Sequence, residues 1–330
     1  MTQCSKVGIA GLGSYVPERV MTNADLEKLV DTQDDWIVQR TGIRERRIAA
    51  AEQDAGAMGS LAAQRALEDA GVDAADVDLI ICGTTTPDKP FPTTACHIQE
   101  TIGAKKAGGF DINSACTGFV FSFNAAAQFV ASGAYRNVLV IGTEKLSTIT
   151  DWQDRNTCII FGDAAGAMLL RPLEDAGRGE LLGMSICIEG GNDDVLEVPA
   201  GGSRQPLGHE EIEQRLQYMR MGGNKVYKFA VSTFTRLVKK HVFEAYGRDD
   251  LGIIVPHQVN MRIIESAQER LDLSDEKIFN NIELYGNTAS ASVPLAFDEA
   301  YRQDRLIKDK LVMAPAFGAG LSWGHFLVRW

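Results

Sequence analysis

The chain has 330 residues, 45% of them hydrophobic and 23% charged. That balance suits a globular protein with one large core or two fused halves, and not a disordered linker. Its 33 basic and 44 acidic side chains leave a net charge of −11, which argues against a general nucleic-acid binder, since phosphate neutralisation needs a basic face.

In chain order, Val7 to Gly13 opens as a strand. Thr22 to Val30 reads as a capped helix, with Thr22 as the cap and Asp25 three residues on. Gly59 to Ala70 reads as a helix that ends at Gly71. Val77 to Cys82 is wholly apolar, as in a strand buried on both faces, and Asn137 to Gly142 is another. Between them, Gly108 to Ile112 is strand-like and Phe119 to Ala131 is a long apolar helix. Ala165 to Leu170 closes the first half. Gly190 to Arg215, rich in glycine, proline and acid, reads as a surface loop. The order then repeats, with Leu251 to Val255 as a buried strand, Ile282 to Ala300 as a small-residue turn opening a helix, and Lys310 to Pro315 and Ser322 to Val328 as strands. Two similar α/β halves, about 1–175 and 176–330, would pack together with a site between them.

Targeting and cofactor signals are weak. No run of about 18 apolar residues would cross a membrane, and Val7 to Leu12 is too short for a signal segment. The cysteines, Cys4, Cys82, Cys96, Cys116, Cys158 and Cys187, form no C-x-x-C pair, and the histidines show no metal-ligand spacing. A reducing cytoplasm and no structural metal are expected. Gly8-x-x-Gly11-x-Gly13 lacks the order of a dinucleotide loop, and Pro17 stands where a helix should begin. Gly222-Gly223-Asn224-Lys225 is too short for a phosphate loop.

Cys116 lies in Asp111-Ile112-Asn113-Ser114-Ala115-Cys116-Thr117-Gly118-Phe119, where a strand turns into an apolar helix. Free N–H groups and the positive end of a helix favour an anion there. The thiol is therefore expected to have a lowered pKa and to act as a nucleophile, its sulfur exposed among small polar neighbours. A buried structural cysteine is the alternative. His257, in Pro256-His257-Gln258-Val259-Asn260, should emerge at the C-terminal end of a buried strand, where ligand sites of α/β sheets gather. Gly286-Asn287-Thr288-Ala289-Ser290-Ala291-Ser292 would hold the Asn287 amide in a rigid turn, although such turns also serve close helix packing.

The cysteine, histidine and asparagine in these three settings resemble the β-ketoacyl-acyl carrier protein synthase III family. So do Thr22 to Arg46, Phe161-Gly162-Asp163-Ala164-Ala165-Gly166-Ala167 and Phe317-Gly318-Ala319-Gly320-Leu321-Ser322-Trp323-Gly324. The resemblance implies a thiolase-like α/β fold of two βαβαβαββ halves in five layers, and a homodimer. It implies that Cys116 takes an acyl group from acyl-CoA. Malonyl-acyl carrier protein then loses carbon dioxide and attacks the thioester, starting fatty acid synthesis. His257 and Asn287 would stabilise the enolate, and the backbone N–H groups of Cys116 and Ala319 the acyl oxyanion.

By the same resemblance Thr32, Trp36, Arg40, Arg155, Gly223 and Asn260 would bind CoA, with Trp36 and Arg155 on either side of its adenine. Phe91 and Phe161 would bound the acyl pocket, Phe91 from across the dimer. Lys228 and Arg262 would dock the acidic carrier protein, with Arg220, Lys225, Arg236, Lys239 and Lys240 as further basic candidates. No cofactor is implied, because the CoA thioester is a substrate. Elongating relatives carry a second histidine in place of Asn287, and thiolases a second cysteine near the final glycine turn, which here has none. His325 and Phe326 stand where small residues are usual, and Ala164 where glycine is frequent. The rival readings are a related condensing enzyme or acyltransferase of a specialised pathway, a cysteine-dependent thioester hydrolase, and a non-catalytic acyl-CoA binder.

Overall fold

The computed structural model describes residues 5–192 and 194–330. Cys4 lies outside them; the five described cysteines are all free thiols. The strands in chain order are β1 (Val7–Tyr15), β2 (Val20–Thr22), β3 (Glu45–Arg47), β4 (Leu79–Gly83), β5 (Gly108–Ile112), β6 (Val138–Glu144), β7 (Ala164–Pro172), β8 (Glu180–Ile188), β9 (Leu196–Glu197), β10 (Arg220–Met221), β11 (Leu251–Ile254), β12 (Leu311–Gly318) and β13 (Ser322–Arg329). One sheet has the order β1-β7-β6-β4-β5 and the other β11-β12-β13-β8.

The two sheets share a plan. β4 runs parallel to β6, which is antiparallel to β7, which is antiparallel to β1. β11, β12, β13 and β8 repeat that succession. The first sheet adds β5, parallel to β4; at the matching place the second keeps only a single parallel bridge from Ile254 to Ile278. One βαβαβαββ unit is thus complete, and its counterpart has lost all but one residue of a strand.

Alternating residues of fully apolar strands feed different cores, as the two-residue period of a strand requires. Ile81, Val140 and Met168 face the helices Gly118–Ala131 and Ser292–Arg302, which are sandwiched between the sheets with Phe119, Phe123, Val293 and Phe297. Ile80, Cys82, Leu139 and Ile141 face the outer helices Ala55–Ala70 and Thr94–Ile102. Leu251, Ile254, Leu311 and Met313 face the outer helices Gly223–Val238 and Met261–Leu271 on the far side. Five layers, αβαβα, result.

Gly11 and Gly13 serve this packing. A Cβ on Gly11 would lie 2.0 Å from the Ala66 carbonyl oxygen, and one on Gly13 2.4 Å from the Ala66 nitrogen. Phe326 stacks on Phe123 with centroids 4.0 Å apart, filling the space between the layers.

Two local expectations need correction. The capping box of Thr22 and Asp25 is present, but its helix is only Asn23–Leu26. Glu27 turns away and its carboxylate accepts from the Asp34 N–H at 2.8 Å, capping the next helix instead. Within Gly190 to Arg215, read as a surface loop, Val195 and Ala200 are buried, β9 pairs with β10, and His209–Glu213 is helical.

Candidate active site

Both central helices begin alike. The 3₁₀ turns Ala115–Thr117 and Ala289–Ala291 precede them, and each opens on an alanine in the left-handed region, Ala115 at φ 45° and Ala289 at φ 43°. That conformation is costly for a residue with a Cβ. It brings Cys116 and the Asn287 turn together at the junction of the halves.

Cys116 is buried at 5% exposure, and burial, the largest cause, pushes its thiol up. The expectation of an exposed sulfur with a lowered pKa is therefore overturned. The immediate neighbours are small and polar, but Leu196, Met221, Phe317 and Leu321 close over the sulfur from elsewhere in the chain. The cavity they form with Phe161, Val226, Phe229, Val259, Asn287, Gly318 and Ala319 has about 20 Å³ of free space, room for a single water.

The end of β12 packs closely against Cys116: a Cβ on Gly318 would meet the Cys116 Cβ at 2.8 Å and its nitrogen at 3.2 Å. Ser322 donates to the Ala319 carbonyl at 2.8 Å and contacts the Thr117 hydroxyl at 2.9 Å, tying the turn after β12 to the cysteine's own. Gly318→Ala should therefore displace Cys116 and cut its alkylation by iodoacetamide at least about tenfold, at a stability cost of about 1–3 kcal/mol. Alkylation kinetics and thermal melts of the variant check this.

His257 follows β11 and is fully buried. Its Nδ1 lies 2.6 Å from the Ser292 hydroxyl, its ring meets Phe317 edge-on at 5.9 Å, and Nε2 has no hydrogen-bond partner among the described residues. Burial pulls it down to about 3, so the imidazole is neutral. The Asn287 Oδ1 accepts from the Ala289 N–H at 2.9 Å, and its backbone N–H donates to the Ile160 carbonyl at 2.9 Å. Its Nδ2 has no hydrogen-bond partner among the described residues.

His325 is a second buried histidine, bonded to the Ser185 hydroxyl at 2.8 Å, with its ring tilted against that of His241 at 4.1 Å; burial first, then His241 and Lys240, lower it to about 3. Both folded values lie below the ordinary 6.5. The unfolded chain therefore takes up a proton at each histidine as pH falls through 6.5, and the folded chain does not until about 3. Stability from these groups is complete above 6.5 and lost below it, by about 1.4 kcal/mol per pH unit for each histidine. His325→Ala should flatten the acid slope of stability by one histidine's share, measurable by denaturant titration between pH 4 and 6.5.

A groove of about 520 Å³ leads from the surface to this cavity and shares Met221, Val226, Val259 and Asn287 with it. Trp36, Arg40, Gly223, Asn260 and Arg262 line it; Thr32 does not. Arg155 and Arg40 sit directly on the Trp36 ring, at 4.4 and 4.6 Å from its centroid. With Arg155 in contact with the indole, the slot expected between them for an adenine is closed. The Asn260 amide is engaged at both ends, donating to the Arg40 carbonyl at 3.0 Å and capping its helix through the Arg262 N–H at 3.0 Å.

Phe161 lines the Cys116 cavity, whereas Phe91 is 83% exposed and touches none of it in its own chain. Lys228 is exposed on the helix Gly223–Val238. Sequence reasoning missed Leu196, Met221, Val226, Phe229 and Val259; only Val259, inside the His257 motif, carried a signal that could have found it.

Two pseudo-repeated halves, paired central helices and a cysteine at the start of the first define a thiolase-like fold. The model of 3-oxoacyl-[acyl-carrier-protein] synthase III matches residues 110–190, and that of its C-terminal part residues 243–330. The β-ketoacyl-[acyl-carrier-protein] synthase III of Caldanaerobacter subterraneus subsp. tengcongensis is 47% identical over 331 residues, covering 99% of both chains. The crystal structure of 3-oxoacyl-[acyl-carrier-protein] synthase III from Aquifex aeolicus superposes with a TM-score of 0.90 at 40% identity, over 98% of this chain and 100% of that one. The priming β-ketosynthase of a polyketide biosynthetic pathway gives 0.90 at 33% identity, over 100% of this chain and 98% of that one. The chain belongs to the 3-oxoacyl-[acyl-carrier-protein] synthase III family.

Proposed function

We propose that this protein is a condensing acyltransferase that starts fatty acid synthesis by joining an acyl-CoA primer to malonyl-acyl carrier protein. The observation that carries this reading is a thiol at the inner end of an open groove, in a cavity that Asn287 also lines and that His257 approaches through its edge-on contact with Phe317; His257 Nε2 and Asn287 Nδ2 have no hydrogen-bond partner among the described residues.

In the first step the Cys116 sulfur attacks the primer's thioester carbon. The carbon–sulfur bond to CoA breaks, and the thiol proton ends on the CoA sulfur. The backbone N–H groups of Cys116 and Ala319 hold the developing oxyanion. In the second, malonyl-acyl carrier protein loses carbon dioxide, and the freed electron pair becomes an enolate on its thioester oxygen. Asn287 Nδ2 donates to that oxygen at any pH. His257 donates from Nε2 when the Ser292 hydroxyl donates to Nδ1. The enolate carbon then attacks the acyl-Cys116 carbonyl, the Cys116 thiolate leaves and takes a proton from water to restore the thiol, and 3-oxoacyl-acyl carrier protein departs. Oriented donors in a desolvated site are worth most where charge develops.

Trp36, Arg40, Arg155, Gly223 and Asn260 bind the CoA portion, with Thr32 beyond the groove's edge. Adenine binding displaces Arg155 from the indole. Trp36→Ala should raise KM for acyl-CoA about tenfold with little change in kcat, because that contact is the same in ground and transition states. Lys228 and Arg262 meet the acidic carrier protein at the groove mouth. In this reading the halves, about 1–175 and 176–330, divide the work: the first supplies the thiol, the second the enolate donors.

Phe161 bounds the primer within the chain, and Phe91 does so from a second copy. The exposed Phe91 and the free edge of β5 support such a homodimer. No helix of the described residues is long and apolar enough to cross a membrane, and we place the enzyme in the cytoplasm, where the thiol stays reduced. The reaction needs no cofactor.

A priming role in a specialised pathway is the second reading, favoured by the likeness to the polyketide priming synthase. Turnover of acetyl-CoA and longer acyl-CoAs with malonyl-acyl carrier protein tests both. Carbon dioxide and 3-oxoacyl product support condensation and rank the primers. Free acid without a malonyl requirement would mean a hydrolase.

A further inference from the structure

Glu144 ends β6 beneath the site, fully buried. Its Oε2 accepts from the Thr86 hydroxyl at 2.7 Å and the Thr85 hydroxyl at 3.0 Å, and the Thr85 N–H reaches both carboxyl oxygens at 3.1 and 3.2 Å. No lysine, arginine or histidine nitrogen among the described residues bonds to either oxygen. Lys145, next in sequence, gives its ammonium to the Ala50 and Ala51 carbonyls instead. The titratable groups facing the carboxyl are Cys116 at the helix start and Cys82 on β4, with Asp88 and Asp111 acting on Cys82 as well.

The Thr84 hydroxyl reaches Oε2 at 3.5 Å, and the contact with Ser290 fixes the proton count. The Ser290 hydroxyl lies 2.7 Å from Glu144 Oε1 and 2.8 Å from the Gly83 carbonyl oxygen. A serine hydroxyl carries one proton, and a carbonyl oxygen can only accept. Two contacts of full hydrogen-bond length need two protons, so the second sits on Glu144. An ionised carboxylate here would be buried with no counter-charge, a costly arrangement.

Ser290 holds, in the second half, the place Cys116 holds in the first: each follows an alanine with positive φ. We propose that Glu144 is a neutral carboxylic acid in the folded enzyme. Its proton, donated to Ser290, positions the Asn287 turn, and its neutrality keeps a negative charge away from Cys116. Through Thr84 to Thr86 the same acid grips the start of the segment that carries Phe91. Glu144 is a positioning residue: it touches neither substrate nor the reacting atoms. The proton assignment stands whatever reaction Cys116 performs; the positioning role rests on the condensing reading above.

The test compares Glu144→Gln and Glu144→Ala with the wild type. A glutamine amide donates to Ser290 and accepts from Thr85 and Thr86, so it copies a neutral acid but not a carboxylate. The infrared difference between wild type and Glu144→Gln at pH 7 should contain one carboxylic-acid carbonyl band. The glutamine variant should melt within about 2 °C of wild type, and the alanine variant roughly 5 °C or more lower. Glu144→Ala should lower malonyl decarboxylation at least about tenfold, and glutamine should restore most of it. Carboxylate bands in place of the acid band, or a glutamine variant as damaged as the alanine one, would overturn the assignment. A normal infrared and melting result with decarboxylation unaffected in Glu144→Ala would retain the proton and remove the positioning role.

Discussion

Replacing Cys116 by alanine should lower condensation by at least about four orders of magnitude, because in the proposed mechanism both bond-making steps pass through its sulfur. The fold should survive. Cys116 is small and lies in a turn held by the Ser114, Thr117 and Ser322 hydroxyls, not by the thiol. Product formation from acyl-CoA and malonyl-acyl carrier protein, followed alongside a thermal melt, separates loss of chemistry from loss of structure. Residual condensation within about a hundredfold of wild type would mean that another group carries the acyl chain.

Asn287→Ala should cost about 10²–10³-fold in malonyl decarboxylation, the usual consequence of removing one preorganised donor from a developing oxyanion. Acylation of Cys116 by acyl-CoA should be largely retained, since the proposed mechanism assigns that step to the backbone donors at Cys116 and Ala319. The turn itself loses the hydrogen bond from the Ala289 N–H to Oδ1, worth about 1 kcal/mol. A modest drop in melting temperature should therefore accompany the change. Single-turnover acylation and release of carbon dioxide from malonyl-acyl carrier protein, measured separately, give the split. Equal loss in both steps would contradict the division of roles.

The parts of the fold that were legible in the sequence are those set by local pattern. The strand Gly108–Ile112 and the helix after it could be read because apolar runs change period at a turn of small residues. The second half announced its strands in the same way. What was missed depends on contacts between distant segments. Glu27 looked like a helix residue, yet its side chain is used to cap the next helix. Gly190 to Arg215 has the composition of a loop, and nothing local shows that Leu196 reaches the Cys116 cavity through the β9–β10 pair.

The same limit explains the thiol. The residues flanking Cys116 imply an open, electropositive turn. Its pKa is governed by burial in a cavity lined by Phe317, Met221 and Leu321, and no neighbour in sequence reports them. The placement of Trp36, Arg40, Gly223 and Asn260 along one groove was expected from family resemblance; that Arg262, expected only as a docking residue, lines the same groove and that Arg155 touches Trp36 directly were not.

The central claim is that Cys116 accepts an acyl group from CoA. Its most direct test is the intact mass of the protein after incubation with acetyl-CoA and with longer acyl-CoAs, with Cys116→Ser alongside as the control. The account predicts a gain of one acyl group in the wild type, lost on treatment with hydroxylamine and absent at that lability in the control. No adduct with any acyl-CoA, in protein that still condenses, would contradict it.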